Sequence, residues 1–224
     1  MQNDASFIKS IKNAIQNNLP GEESHVSMTP YKRGKSSDAR KNASFVKLSA
    51  IAIHLFKENS TNDWHIILIK RTSNMSSHKN QIAFPGGKVD KTDADYVFTA
   101  KRESFEELGI DVNKGELLGQ LTPVYIPVSN FDIYPFVFYH KNTPQIMPNK
   151  MEVENYYKLK IEELFKPETI DTFTYKNENG IQIKNVPCFK IKQLTIWGAT
   201  ALIINEFKEL IFNINVKNQK EEQL

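Results

Sequence analysis

The run from Phe84 to Ile110, FPGGKVDKTDADYVFTAKRESFEELGI, constrains this chain more than any other segment. Pro85-Gly86-Gly87 forms a loop that can bend tightly and bring its backbone close to a ligand. Gly109 stands just after Leu108, where a left-handed residue ends a helix. Between them, Asp95 to Leu108 is expected to be helical. Advancing about 100° per residue puts Val97, Phe98, Ala100, Ser104, Phe105 and Leu108 on one broad face, with Lys101 as a misfit that must snorkel out. Arg102, Glu103, Glu106 and Glu107 fall on the other face. The three glutamates, at i, i+3 and i+4, share one patch at a cost of about 0.2–0.5 kcal/mol per like-charged pair. A divalent cation among them would relieve that cost, and hard oxygen ligands suit Mg²⁺ or Mn²⁺. For the helix alone, a solvated acidic face paired with Arg102 is the other reading.

The rest of the chain reads as globular. Its 224 residues favour one domain with additions, and 40% hydrophobic with 25% charged residues excludes a collagen or a mostly disordered chain. Cys188 is the single cysteine, so neither an internal disulfide nor a cysteine-based zinc cluster can form. No apolar run approaches the roughly 18 residues of a membrane span, and the first residues lack the order of a secretory signal. A cytoplasmic protein with no membrane partner is expected. A net charge of +3 is too mild for nucleic acid. The basic run Lys32, Arg33, Lys35, Arg40 and Lys41 reads as a solvated loop, with a phosphate-attracting rim as the alternative.

Asp4 to Asn18 is expected as an amphipathic helix capped by Asp4, with Phe7, Ile8, Ile11, Ala14 and Ile15 inward; Leu19-Pro20-Gly21 stops it. A polar stretch from Lys32 to Ala43 leads into strands. Phe45–Phe56 and Trp64–Arg71 form a hairpin. Further strands are expected at Gln81–Phe84, Leu117–Tyr125, Ile133–His140, Glu152–Leu159 and Gln182–Lys190, the last preceded by an Asn177–Gly180 turn. Ile161–Phe165 suggests a short helix. A final helix, Gly198–Phe212, carries Leu202, Ile203, Phe207, Leu210 and Ile211 inward. The irregular mixture favours an α+β fold. Residues 1–45 form a helix and extension packing on a domain of 46–216, and 217–224 a flexible tail.

The Phe84–Ile110 segment resembles the Nudix box, G-x5-E-x7-R-E-U-x-E-E-x-G-U, with U a bulky apolar residue. Gly87, Arg102-Glu103, Glu106-Glu107 and Gly109-Ile110 fit it. Asp93 replaces the first glutamate, eight residues separate it from Arg102, and Ser104 takes an apolar position. Leu68–Thr72, His78, Gln81 and Phe84–Asp90 resemble the coenzyme A pyrophosphatase branch, in which the aspartate and the extra residue are normal. Pro127–Phe131, Met151-Glu152-Val153, Ile196–Ala201, Leu19-Pro20-Gly21 and Met28-Thr29-Pro30 resemble its other landmarks. Ser76 and Asn80 depart from it, standing where an arginine and a glycine are usual, which bears on substrate and not on chemistry.

The resemblance implies a Nudix-type α/β/α sandwich with a mixed central sheet and a catalytic loop–helix–loop. It implies metal-dependent hydrolysis of the pyrophosphate of coenzyme A or a derivative to 3′,5′-ADP and 4′-phosphopantetheine. Glu103, Glu106 and Glu107 would hold Mg²⁺ or Mn²⁺, with a Gly86 or Gly87 carbonyl as an extra ligand and Arg102 orienting a carboxylate. The general base would be a box glutamate or a distal one, for which Glu152 is the candidate; a strand-edge surface charge is its alternative. Arg71, His78, Gly86 and Gly87 are the candidate substrate-binding residues. Asp93 would cap the helix or hold the loop, with a direct catalytic role as the alternative, and Trp197 and Phe131 read as core packing, with adenine stacking as the alternative. ADP-ribose, a dinucleotide or a modified nucleoside triphosphate remains an alternative substrate, a non-catalytic nucleotide-binding or protein-binding domain is a third reading, and a homodimer is left open.

Overall fold

The structure is a computed structural model and describes residues 4–30, 34–72, 81–176, 180 and 182–221. Helix α1 (Asp4–Asn17), 3₁₀ turns over Gly21–Met28 and a short α2 (Ser36–Lys41) precede strands β1 (Lys47–Lys57), β2 (Trp64–Arg71), β3 (Ile82–Ala83) and β4 (Gly86–Lys88). Helix α3 (Tyr96–Leu108) follows, then β5 (Glu116–Gln120), β6 (Val124–Ile126), β7 (Phe131–His140) and β8 (Val153–Lys160). The chain ends with β9 (Ile170–Lys176), β10 (Gln182–Ile191), β11 (Leu194–Trp197) and α4 (Gly198–Glu221).

Strand β1 is the spine of a mixed sheet. Along one edge it runs parallel to β7, from Lys47↔Phe131 to Phe56↔His140. Its other edge is shared: β4 pairs with its first half (Ser49↔Lys88 to Ile51↔Gly86) and β2 with its last residues (Leu55↔Ile66 to Lys57↔Trp64). The sheet therefore splits beside Ala52, whose N–H donates to the Pro85 carbonyl at 2.9 Å. The functional loop enters at that split. Strands β3 and β8 flank β2, β5 and β6 line the far edge of β7, and β9–β11 form a separate antiparallel sheet.

Period-two alternation assigns the two faces. Ile53 and Leu55 of β1, Ile66 and Leu68 of β2 and Val137 of β7 join the large core with α1 and α4. Ala50, Ala52, Phe136 and Phe138 face the other way, beneath α3, as do Phe56, Ile67 and Ile69 with Leu108. Helices thus cover both faces of the sheet, as the resemblance implies. The predicted inward stripes of α1 and α4 are observed: Phe7, Ile8, Ile11 and Ile15 on one, Leu202, Ile203, Phe207, Leu210 and Ile211 on the other, are buried.

The structure corrects several expectations. The Lys32–Ala43 stretch contains α2, where Arg40 pairs with Asp132, Lys41 with Asp38 and Lys35 with Glu23. Leu117–Tyr125 is two strands, β5 and β6, pairing with different parts of β7. Ile161–Phe165 is the expected short helix, of 3₁₀ type. Strands β4, β9 and β11 were not anticipated; β4 is a glycine pair and a lysine and shows no strand propensity. The α4 helix continues past Phe212 to Glu221. The Asn177–Gly180 turn falls largely on residues outside those described. Asp4 directs its carboxylate to Lys57 Nζ at 2.7 Å.

Candidate active site

Helix α3 is fixed at both ends as its sequence dictates. Asp95 is the N-cap, accepting from Phe98 N–H at 2.7 Å, and Gly109 ends the helix in the left-handed conformation with φ 64°. Its inward stripe is narrower than the expected one. Thr99, Ala100, Ser104, Glu107 and Leu108 are buried, whereas Phe98 and Phe105 are exposed. The reason is the surface beneath: Ala50 and Ala52 let the helix approach closely, and that contact admits small side chains while large ones are left at the flanks.

Glu107 accounts for the rest of the difference. It belongs to the expected polar face, yet it is wholly buried. Its carboxylate accepts from Gly86 N–H at 2.9 Å and from Arg71 Nη1 at 3.0 Å, so a buried charge is held by a backbone donor and a guanidinium. Burial nevertheless pushes its pKa up to about 8, against the opposing pull of Arg71 and Gly86. Glu103 is also raised, by burial first. The charges of Glu103 and Glu152 add to the upward push on Glu107, and that of Glu152 to the push on Glu103.

The glycines of the loop are steric requirements. A Cβ on Gly86, where φ is 153°, would lie 2.4 Å from the Ala50 carbonyl oxygen. A Cβ on Gly87 would lie 2.4 Å from the Glu103 carboxylate. Backbone and acid therefore meet closely at the point where the sheet splits.

Arg102 organises the outer half of the site. Its Nε and Nη2 each donate to Asp93 at 2.9 Å, a bidentate pair, and Nη2 also reaches the Lys88 carbonyl at 3.1 Å. Nη1 donates to Glu103 at 2.8 Å and Glu106 at 2.9 Å. Asp93 further accepts from Thr99 Oγ1 and Asp90 N–H; the Arg102 pairing holds its pKa well below the usual carboxylate range. Asp93 holds the loop, and Asp95 is the cap. Lys88, Asp90, Lys91, Thr92, Arg102, Glu103 and Glu106 line an open cleft of about 590 Å³.

Glu152 is brought to this cluster by the loop before β8. Asn149 N–H donates to the Glu107 carbonyl at 2.9 Å, Met147 N–H to that of Leu108 at 2.7 Å, and the Glu152 carbonyl accepts from Thr72 N–H at 3.0 Å. Arg71, taken from the sequence as a substrate contact, holds Glu107. His78 lies outside the described residues. Trp197 packs against Phe173 and Tyr175, with ring centroids at 5.6 and 4.6 Å. Sequence reasoning missed a buried polar chain behind the helix, from His140 through His54 to Ser104. Its signal was present in the serine at an apolar position of the box.

The donor set fits a hard divalent cation. Glu107, Glu103 and Glu152 crowd negative charge into a buried corner whose cost appears as raised carboxylate pKa values. In the conformation described, Glu103 and Glu106 turn onto Arg102, and among the described residues no three acidic, histidine or cysteine side chains are closed into a ready cage.

The sequence matches the NUDIX domain profile over residues 47–178. The chain belongs to the Nudix hydrolase family. Enzymes of this family act on diphosphate bonds. It is 32% identical over 141 residues to the uncharacterized Nudix hydrolase NudL of Pectobacterium atrosepticum, covering 63% of this chain and 72% of that protein. It is 34% identical over 131 residues to the human mitochondrial coenzyme A diphosphatase NUDT8, covering 58% of this chain and 55% of that protein. The mouse protein of the same name is 32% identical, with 60% of its length covered. This Nudix chain thus spans little more than half of its mammalian relatives. A crystal structure of a MutT/nudix family protein from Enterococcus faecalis shares the fold, with a TM-score of 0.51 and 14% identity over 95% of this chain and 76% of that one. No helix among the described residues is long and apolar enough to cross a membrane.

Proposed function

We propose that this chain is a metal-dependent pyrophosphohydrolase that cleaves coenzyme A or its derivatives to 3′,5′-ADP and (acyl-)4′-phosphopantetheine. The observation that carries the chemistry is the buried Glu107, tied to Gly86 N–H and Arg71 beside Glu103 at the mouth of the split sheet. The likeness to proteins named coenzyme A diphosphatases supports the substrate.

In this reading Glu103, Glu106 and Glu107 hold Mg²⁺ or Mn²⁺, with a carbonyl of Gly86 or Gly87 as a further ligand. When bound, the cation supplies charge neutralisation at the phosphates and acidifies a water. The protein's own groups do the rest. Arg71 keeps Glu107 aimed at the loop. Arg102 keeps the loop closed on Asp93, and it holds Glu103 and Glu106 until they are needed. Glu152, close enough to perturb both inner glutamates, is the proposed acceptor of the proton from the attacking water. Lys88 and Lys91 at the cleft offer positive charge to phosphate oxygens. A cytoplasmic location belongs to the same reading; the one cysteine, Cys188, is buried and unpaired with another.

Incubation of the purified protein with Mg²⁺ and a panel of coenzyme A, acyl-coenzyme A, ADP-ribose, a dinucleotide and an oxidised nucleoside triphosphate tests this. Release of 3′,5′-ADP from coenzyme A, lost in Glu106→Gln, is the expected result. Clean hydrolysis of ADP-ribose with coenzyme A untouched would reject the substrate and keep the chemistry. Binding without turnover by the parent protein would favour a non-catalytic domain.

A further inference from the structure

The residue after Arg102-Glu103 is apolar in the box, and here it is Ser104, wholly buried beneath the helix. The alternation along β1 that turns Ala50 and Ala52 toward α3 turns His54 the same way. His54 Nε2 lies 3.0 Å from Ser104 Oγ, and His54 Nδ1 lies 3.0 Å from His140 Nε2 on β7. Ser104 Oγ donates to the Ala100 carbonyl at 2.7 Å. Gly115 leaves room for the second ring, since a Cβ there would come within 2.9 Å of His140 Cε1.

The hydrogen positions follow from counting donors. Ser104 has one proton and gives it to Ala100, so it accepts from His54 Nε2–H. A neutral imidazole then has a bare Nδ1, which accepts from His140 Nε2–H. Every bond has one donor and one acceptor, and the chain is directed from β7 through β1 into the helix. This matters because of lever length. A carboxylate oxygen about 6 Å from a helix axis moves about 1 Å when the helix rotates by about 10°, while metal ligands tolerate about 0.2 Å. The alanine contact and the Glu107 donors choose which face of the helix turns inward, but apolar contact is non-directional and leaves play of a few degrees; a hydrogen bond to one side of the helix takes up that play.

We propose that His54 and His140 are positioning residues for the metal-holding turn, locking Ser104 to the sheet and thereby setting the rotation of Glu103, Glu106 and Glu107 against Gly86-Gly87. The inference rests on the proposed role of those glutamates. It accounts for the serine in the box: the hydroxyl and His54 are a matched pair, each useful only with the other.

The test is Mn²⁺ titration of the full chain by calorimetry and electron paramagnetic resonance, well below the melting temperature. Ser104→Cys, similar in size but a poor acceptor, and His54→Leu are each expected to weaken Mn²⁺ binding about tenfold or more. The Mn²⁺ concentration for half-maximal turnover should rise in step, with the substrate KM within about twofold of the parent at saturating metal. Ser104→Thr, which keeps the hydroxyl, should restore most of the affinity. Nitrogen-15 NMR of the parent protein provides a second measurement that needs no substitution, and both rings should be neutral Nε2–H tautomers. Undiminished Mn²⁺ affinity in folded Ser104→Cys and His54→Leu overturns the inference while leaving the site intact. An Nδ1–H tautomer at His54 also overturns it. A parent protein that takes up no Mn²⁺ removes the site and the inference with it.

Discussion

Arg102→Ala is the substitution whose cost follows most directly from the geometry. It removes two 2.9 Å charge-assisted bonds to Asp93, whose side chain is excluded from solvent. Bonds of that kind contribute about 1.5–3 kcal/mol each. Because the pair lies near the surface, the lower figure applies, giving about 3 kcal/mol for the Asp93 pair, with the 2.8 Å bond to Glu103 a further, smaller contribution. The arm to Glu106, which is half-exposed, adds little. For a chain of this size the melting temperature should fall by about 6–12 °C at pH 7. The sign with pH is fixed by Asp93, whose folded pKa is depressed below its ordinary 3.8. Its contribution is complete above about pH 4 and is lost as pH falls through the folded value, so the gap between parent and variant should narrow below pH 4. Circular dichroism melts at pH 7, 5, 3 and 2 measure this. A fall of under about 2 °C at pH 7, or a gap that stays constant on acidification, would mean that the Arg102–Asp93 pair does not carry this stability.

Glu107→Gln imitates the neutral form of a carboxyl whose folded pKa is raised to about 8. The parent's relative stability is complete below about pH 4.5 and lost as pH rises through 8, so metal-free parent should melt progressively below the variant over that range; parallel curves would count against it. Gly87→Ala should leave the fold intact, since its clash is with the end of the Glu103 side chain and not with backbone, but should lower kcat more than tenfold in the hydrolysis assay. Gly86→Ala, whose clash is with the Ala50 backbone at positive φ, should instead cost about 1–3 kcal/mol in chemical denaturation. Glu206→Ala strips partners from Gly21 N–H, the Thr122 N–H and hydroxyl, and buried His25, and should lower stability by about 3–5 kcal/mol in urea titration.

Much of the fold was legible because burial follows period. The 3.6-residue stripes of α1 and α4 showed both element type and facing, and the branched and aromatic runs of β1, β2 and β7 showed element type. Strand β4 was not legible, since Gly86-Gly87-Lys88 becomes a strand only by pairing with β1. The acid cluster of α3 could be read from spacing, but its orientation could not. Hydrophobic weighting turned Phe98 and Phe105 inward, whereas the alanines opposite α3 and the donors waiting for Glu107 turned the helix the other way. Arg71 and Glu107, far apart in sequence, meet through the sheet split. The His140–His54–Ser104 chain joins three elements, and only the odd serine in the box hinted at it.

In the proposed site the Glu103–Glu107 turn holds a divalent cation beside Gly86-Gly87. Anomalous diffraction from Mn²⁺-soaked crystals tests it most directly. The prediction is a peak within about 2.0–2.3 Å of carboxylate oxygens of this turn, with Glu103 swung away from Arg102. A Mn²⁺ peak elsewhere, with Glu103 and Glu106 still bound to Arg102 and no density at the loop, would contradict it.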